Sequence, residues 1–222
     1  MRFDFHTHTV FSDGELIPSE LVRRARVLKH RVIAITDHAD FSNYKELIEK
    51  TTIAKEELKK YWDDIIVIVG VELTHIPPKS IPKMAKKAKD LGAEIVVVHG
   101  ETVVEPVEEK TNYYASISED VDILAHPGFI DKETAENLKE NDIFVEITSR
   151  RGHNITNGYV ANVAREFELK TLINTDTHAP EDLIDLDFAK KVGLGAGLTN
   201  KELEKTLLHY PKELLKRIGV EL

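Results

Sequence analysis

The residues in this chain best equipped for chemistry are histidines and carboxylates, and they recur in a pattern. His6-Thr7-His8 stands almost at the start. Asp37-His38, Glu72, His99, His126, Glu146 and Asp176-Thr177-His178 follow at intervals along the sequence. Neutral imidazole and carboxylate suit Zn, Mn and Fe. The chain has no cysteine, so thiolate ligands, thiol nucleophiles and disulfides are excluded. Any metal site must be built from His, Asp and Glu. So many ionisable groups are costly to bury together unless their charge is compensated, and bound cations would do that. One ion takes roughly four to six ligands, so about nine donors imply two or three ions. Clustered ions favour phosphoester hydrolysis, because they acidify a bridging water and clamp the attacking and leaving oxygens.

Such residues converge only if the fold brings them together. Apolar runs at 2–6, 32–36, 65–71, 94–98, 121–125, 143–147 and 171–175 read as strands. Amphipathic helices are expected at 19–29, 43–61, 81–91, 112–116, 132–140 and 157–168, with more helix at 181–192 and 201–217. Seven strands alternating with helices predict an α/β fold with a parallel sheet, and runs such as IIVIVGV suit strands buried on both faces. A barrel and a doubly wound sheet both satisfy this pattern. In either, the C-terminal ends of parallel strands form one rim, where active sites sit. Every predicted strand here ends in a polar group: His6/His8, Asp37/His38, Glu72, His99, His126, Glu146 and Asp176/His178. Six of the ten histidines fall at these ends, more than chance placement gives.

Strand alternation sharpens the expectation. Asp4, His6 and His8 should share a face, as should Asp176 and His178. Ile66, Ile68 and Gly70, Ile95 and Val97, and Leu124 should line the interior below the rim. His38 needs the loop after its strand to turn inward.

Length and charge set outer bounds. With 222 residues, 41% hydrophobic, the chain is expected to form one domain over 1–222. It shows no membrane-spanning run and no signal peptide, so a cytoplasmic protein without membrane attachment is expected. The net charge of −9 argues against stable binding to long nucleic acids. His30, in the basic stretch VLKHR, and His209 are expected at the surface; His75 falls in a loop near the rim.

The motifs DFHTHT, SDG, TDH, GVE, VHG, AHPG and TDTH, in this order over nearly the whole chain, resemble the polymerase-and-histidinol-phosphatase (PHP) domain family. The resemblance implies a distorted (β/α)7 TIM-like barrel of seven parallel strands, here with extra C-terminal helix. It implies a trinuclear centre of divalent Zn, Mn or Fe at the barrel mouth and hydrolysis of phosphoesters. Carried over by position, His6, His8 and Asp176 would hold the first ion. Glu72 would bridge to the second, with His99 and His126. Asp13, His38 and His178 would hold the third. Asp4, Asp37 and Glu146 would orient imidazoles or order water. One of Arg150 and Arg151 would bind the substrate phosphate, with His153 as a further partner or general acid. The implied substrate is a small phosphomonoester such as histidinol phosphate or a nucleotide. The alternative within the family is an exonuclease acting on oligonucleotides. The sequence leaves the oligomeric state open.

Overall fold

The computed structural model describes residues 1–222. Seven strands organise it: β1 (Arg2–Asp4), β2 (His30–Ile35), β3 (Ile66–Leu73), β4 (Ile95–His99), β5 (Ile123–Ala125), β6 (Phe144–Thr148) and β7 (Thr171–Asn174). Each pairs in parallel with the next, in sequence order. Main-chain bonds at the rim nearly close the ring between β7 and β1: His8 N donates to Thr177 O (2.8 Å) and Asp176 N to His6 O (2.9 Å). The barrel expectation is therefore met, and the doubly wound alternative is not.

Two apolar layers follow from strand alternation. Phe3, Phe5, Val32, Ala34, Ile68, Ile95, Val97, Ile123, Ala125, Phe144 and Leu172 fill the interior. Ile33, Val69, Val71, Val96, Val98, Leu124, Val145 and Ile147 face outward, towards the helices. The helices are α1 (Pro18–Val27), α2 (Tyr44–Leu58), α3 (Ile81–Asp90), α4 (Thr111–Ser116), α5 (Lys132–Glu140), α6 (Asn157–Phe167), α7 (Leu186–Gly195), α8 (Asn200–Glu204) and α9 (Tyr210–Arg217). A π-helical segment, Lys205–His209, joins α8 to α9. Pro211 has no N–H to donate to a helical carbonyl, and the wider register just before it absorbs that loss. Leu214 and Leu215 of α9 then join the interior cluster.

Three expectations need correction. Leu124 points outward, not inward, because His126 sits at φ 26° and breaks the alternation; Ile123 and Ala125 are the interior residues. Phe3 and Phe5 are interior residues, so Asp4, between them in the alternation, faces away. The expected helix at 181–192 begins only at Leu186, where Asp185 caps it by accepting from Phe188 N (2.8 Å). The residues before it form a 3-10 turn, Pro180–Asp182.

His30 also departs from expectation. It starts β2, is buried, and its Nε2 lies 2.9 Å from Ile184 O. Burial pushes its pKa down to about 3, with Arg2 adding to the effect. VLKH is not a continuous helix end: Lys29 turns the chain at φ 61° directly into the strand. His209, as expected, is exposed.

Candidate metal centre

The strand ends deliver their polar residues to one mouth. Glu72 is in the last turn of β3's pleat and is wholly buried. His38 reaches it by the expected detour. Beyond β2 the chain forms a second short strand, His38–Ala39, which pairs with the end of β3 and sets His38 opposite Glu72. His126 and Asp176 follow β5 and β7 in left-handed conformations, φ 26° and 52°. Such backbone is costly for non-glycine residues and concentrates at functional sites. Asp13 reaches the mouth on the loop after His8, which Asp37 braces by accepting from Thr9 N (2.6 Å), Thr9 Oγ1 (2.7 Å) and Ser12 Oγ (2.7 Å).

All nine residues expected as ligands come together. Their donor atoms fall into overlapping groups: His8, Asp13, His38 and His178; His6, His126 and Asp176; His6, His8 and Glu72; and Glu72, His99 and His126. The supporting residues divide. Glu146 does orient an imidazole, with Oε2 2.8 Å from His6 Nδ1. Asp4 and Asp37 do not. Asp4 accepts from Thr175 N and Oγ1 (3.1 and 2.8 Å) and pairs with Arg2, bracing the chain just before Asp176.

Hydrogen-bond bookkeeping tests whether these residues fit cations. His178 Nδ1 can only donate to the Asp176 carbonyl (2.9 Å), which leaves a lone pair on Nε2 in the neutral ring. That Nε2 faces Asp13 Oδ1 at 3.3 Å. His6 Nδ1 donates to Glu146, and its Nε2 faces Glu72 Oε1 at 3.2 Å; neither of these two buried atoms has a hydrogen-bond partner. His8 Nε2, also without a partner, lies 3.2 Å from Asp176 Oδ1. At His6 and His178, lone pairs thus face lone pairs. Two donors on one zinc at tetrahedral angles stand about 3.3 Å apart, so this spacing fits a divalent cation between them.

The electrostatics show the cost of leaving those pairs to protons. Burial disfavours a charged His38, yet Glu72 and Asp13 overcome it and hold its pKa up at about 10. Burial likewise opposes charge on His6, but Glu146, Glu72 and Asp176 raise its pKa well above the usual value. Burial lowers His126 to about 4, and, with the neighbouring Glu72, raises Asp176 to about 7 against the pull of His6.

Above these groups lies a cavity of about 280 Å³, lined by Asp13, His38, Thr74, His75, His99, Glu105, Arg150, His153, Asp176 and His178. Arg150 is the only guanidinium on its wall. Its Nη1 lies 2.9 Å from Asp182 Oδ2, the same oxygen that accepts from His178 N and Ala179 N. Arg151 is exposed and lines a neighbouring cavity instead. His153 is in the mouth, with Nε2 3.1 Å from Glu105 Oε1.

Glu105 and Asp182 were not anticipated. Both sit on loops between elements, where hydrophobic periodicity carries no signal. Asp182 had one available cue, Pro180 followed by two acids, which reads as a turn start. Glu105 lies among several Glu residues in ETVVEPVEEK, and nothing local singles it out.

Known proteins give the same outline. The PHP domain matches residues 4–175. The chain is 97% identical over 218 residues to an uncharacterized protein of Methanocaldococcus jannaschii, covering 98% of this chain and all of that one. It is 27% identical over 246 residues to a probable phosphatase of Clostridium botulinum, covering 96% of each. Its fold is similar to that of a protein chain in the cryo-EM structure of archaeal ribonuclease P with mature tRNA. That likeness has a TM-score of 0.67 and 18% identity, and covers 100% of this chain and 97% of that one.

Proposed function

The chain belongs to the PHP domain family, and from that premise we propose that it is a metal-dependent phosphatase acting on a small phosphomonoester. The observation that carries this reading is the set of imidazole and carboxylate lone pairs facing one another at cation spacing, under a cavity whose one guanidinium is Arg150. In this reading three positions hold ions: one with His6, His8 and Asp176; one with Glu72, His99 and His126; one with Asp13, His38 and His178. The likeness to a probable phosphatase supports it.

Bound divalent ions would supply an acidified water and screen the phosphate oxygens. The remaining work falls to the chain. Arg150 offers a planar fork to the phosphate, and Asp182 fixes its direction. Glu146 keeps the proton of His6 on Nδ1, so that Nε2 stays a donor of electrons. His153, at the cavity wall, can pass a proton to the leaving oxygen. The wall has no hydrophobic residue, which suits a hydrated, polar substrate such as histidinol phosphate or a nucleotide.

A second reading, a subunit of an RNA–protein assembly, is favoured by the full-length likeness to the ribonuclease P chain. The net charge of −9 works against it. One experiment separates the phosphatase from an exonuclease and from an assembly subunit without hydrolytic activity. The purified protein, loaded with Mn or Zn, is given a panel of phosphomonoesters and a labelled single-stranded oligonucleotide. Release of phosphate from monoesters with the strand intact supports the phosphatase. Stepwise shortening supports the exonuclease; no turnover of either removes both and leaves the assembly subunit.

A further inference from the structure

The lone-pair argument extends to a residue outside the nine. His99 Nδ1 lies 3.2 Å from the Gly100 carbonyl, which can only accept, so the ring proton sits on Nδ1. Nε2 of the neutral ring then presents a lone pair, and it faces Glu105 Oε2 at 3.1 Å. This is the arrangement found at His6 with Glu72 and at His178 with Asp13. His99 forms one donor group with Glu72 and His126 and a second with Glu105 and His75, whose Nε2 lies 3.4 Å from the same Oε2. His99 therefore stands between two carboxylates, Glu72 and Glu105.

Glu105 is also held as a donor should be. His153 Nε2 lies 3.1 Å from its other oxygen, Oε1, and can donate there, leaving Oε2 to His99 and His75. The root of its loop is clamped: Glu101 N donates to Asn112 Oδ1 (3.0 Å) and Asn112 N to Glu101 Oε1 (2.9 Å). Gly128, at φ 63°, packs so tightly under Glu101 that a Cβ there would come within 2.0 Å of its carbonyl oxygen. A clamped loop root fixes where the carboxylate arrives.

We infer that Glu105 is a tenth donor to the metal centre, reaching the second ion position from its open side, where His99 links the Glu72–His126 group to the His75–Glu105 group. The inference rests on the metal-centre reading above. It gives that position two carboxylates, one buried and fixed, the other at the cavity wall where substrate enters. With an ion bound, Glu105 would close the position in the absence of substrate, and a phosphate oxygen could take its place.

The test is metal binding by the whole protein. Wild type, Glu105→Gln and His6→Ala are loaded with Mn, equilibrated against graded chelator, and assayed for bound Mn by elemental analysis. Circular dichroism checks that each variant is folded. The expected result is that Glu105→Gln holds one ion roughly 10- to 100-fold more weakly than wild type and the others unchanged. Inorganic phosphate should narrow this gap, since it supplies the missing oxygen. If Glu105→Gln retains Mn as wild type does while His6→Ala loses it, the tenth donor is overturned and the metal centre stands. If His6→Ala also retains every ion, the metal-centre reading itself falls, and this inference with it.

Discussion

The two ends of the barrel interior are built from the same strands and obey opposite rules. The lower layer, around Phe3, Phe144, Leu172 and Leu214, is apolar and wholly buried. Burial of each such side chain contributes roughly 1.5–3 kcal/mol. Further along the same chain segments, at Glu72, Glu146 and His6, the interior is ionisable, equally buried and incompletely satisfied: Glu72 Oε1, Glu146 Oε1 and His6 Nε2 lack hydrogen-bond partners. Unsatisfied buried charge destabilises a fold. The lower layer therefore holds the barrel together, and the upper layer remains costly until something positive enters it.

Substitutions in the two layers should separate these roles. The largest effect is expected in the upper layer. His6→Ala with His8→Ala should lower phosphatase activity at least roughly 100-fold and reduce metal content, while the metal-free chain unfolds near the wild-type temperature. Activity and ion content are read on the same sample; loss of folding would put these imidazoles in the lower layer's category. The converse is Phe144→Ala. It should cost about 3–5 kcal/mol in denaturant unfolding, with the ion stoichiometry of the folded fraction unchanged.

Smaller effects test the rim. Arg150→Ala should weaken inhibition by inorganic phosphate about tenfold, as expected for a lost charged hydrogen bond. Arg151→Ala should stay within about twofold of wild type; a reversed order would move the phosphate site to the neighbouring cavity. A further test lies at His30, far from the mouth. Its pKa is lowered to about 3 in the folded chain, so between about pH 3 and the ordinary histidine value near 6.5 the unfolded chain binds more protons. Stability from keeping this ring neutral is full above about pH 6.5 and is lost as the pH falls towards 3. In chelator, urea unfolding of wild type should therefore lose more stability from pH 7 to pH 5 than that of His30→Asn. An equal or opposite slope contradicts a buried neutral ring.

What could be read in the sequence follows the same division. The seven strands were legible because strands buried on both faces are continuously apolar, and their polar ends stood out against that background. His38's detour was foreseen from parity alone. Parity failed at Leu124, where the positive φ of His126 resets the alternation, and at Asp4, which braces Thr175 instead of an imidazole. Neither departure has a local sequence signature. Glu105 and Asp182 were missed for a different reason. Their roles depend on which loops lie next to one another across the mouth, and that is a property of the closed ring.

The central claim is that the upper layer is built around cations. The most direct measurement is the thermal unfolding of the purified chain in chelator and in excess Mn or Zn, alongside the His6→Ala, His8→Ala variant. Ions that bind only the folded state raise its unfolding temperature. The prediction is a clear upward shift with metal for wild type and a markedly smaller one for the variant, which keeps the other two ion positions. Unfolding of wild type at the same temperature with and without ions would contradict it.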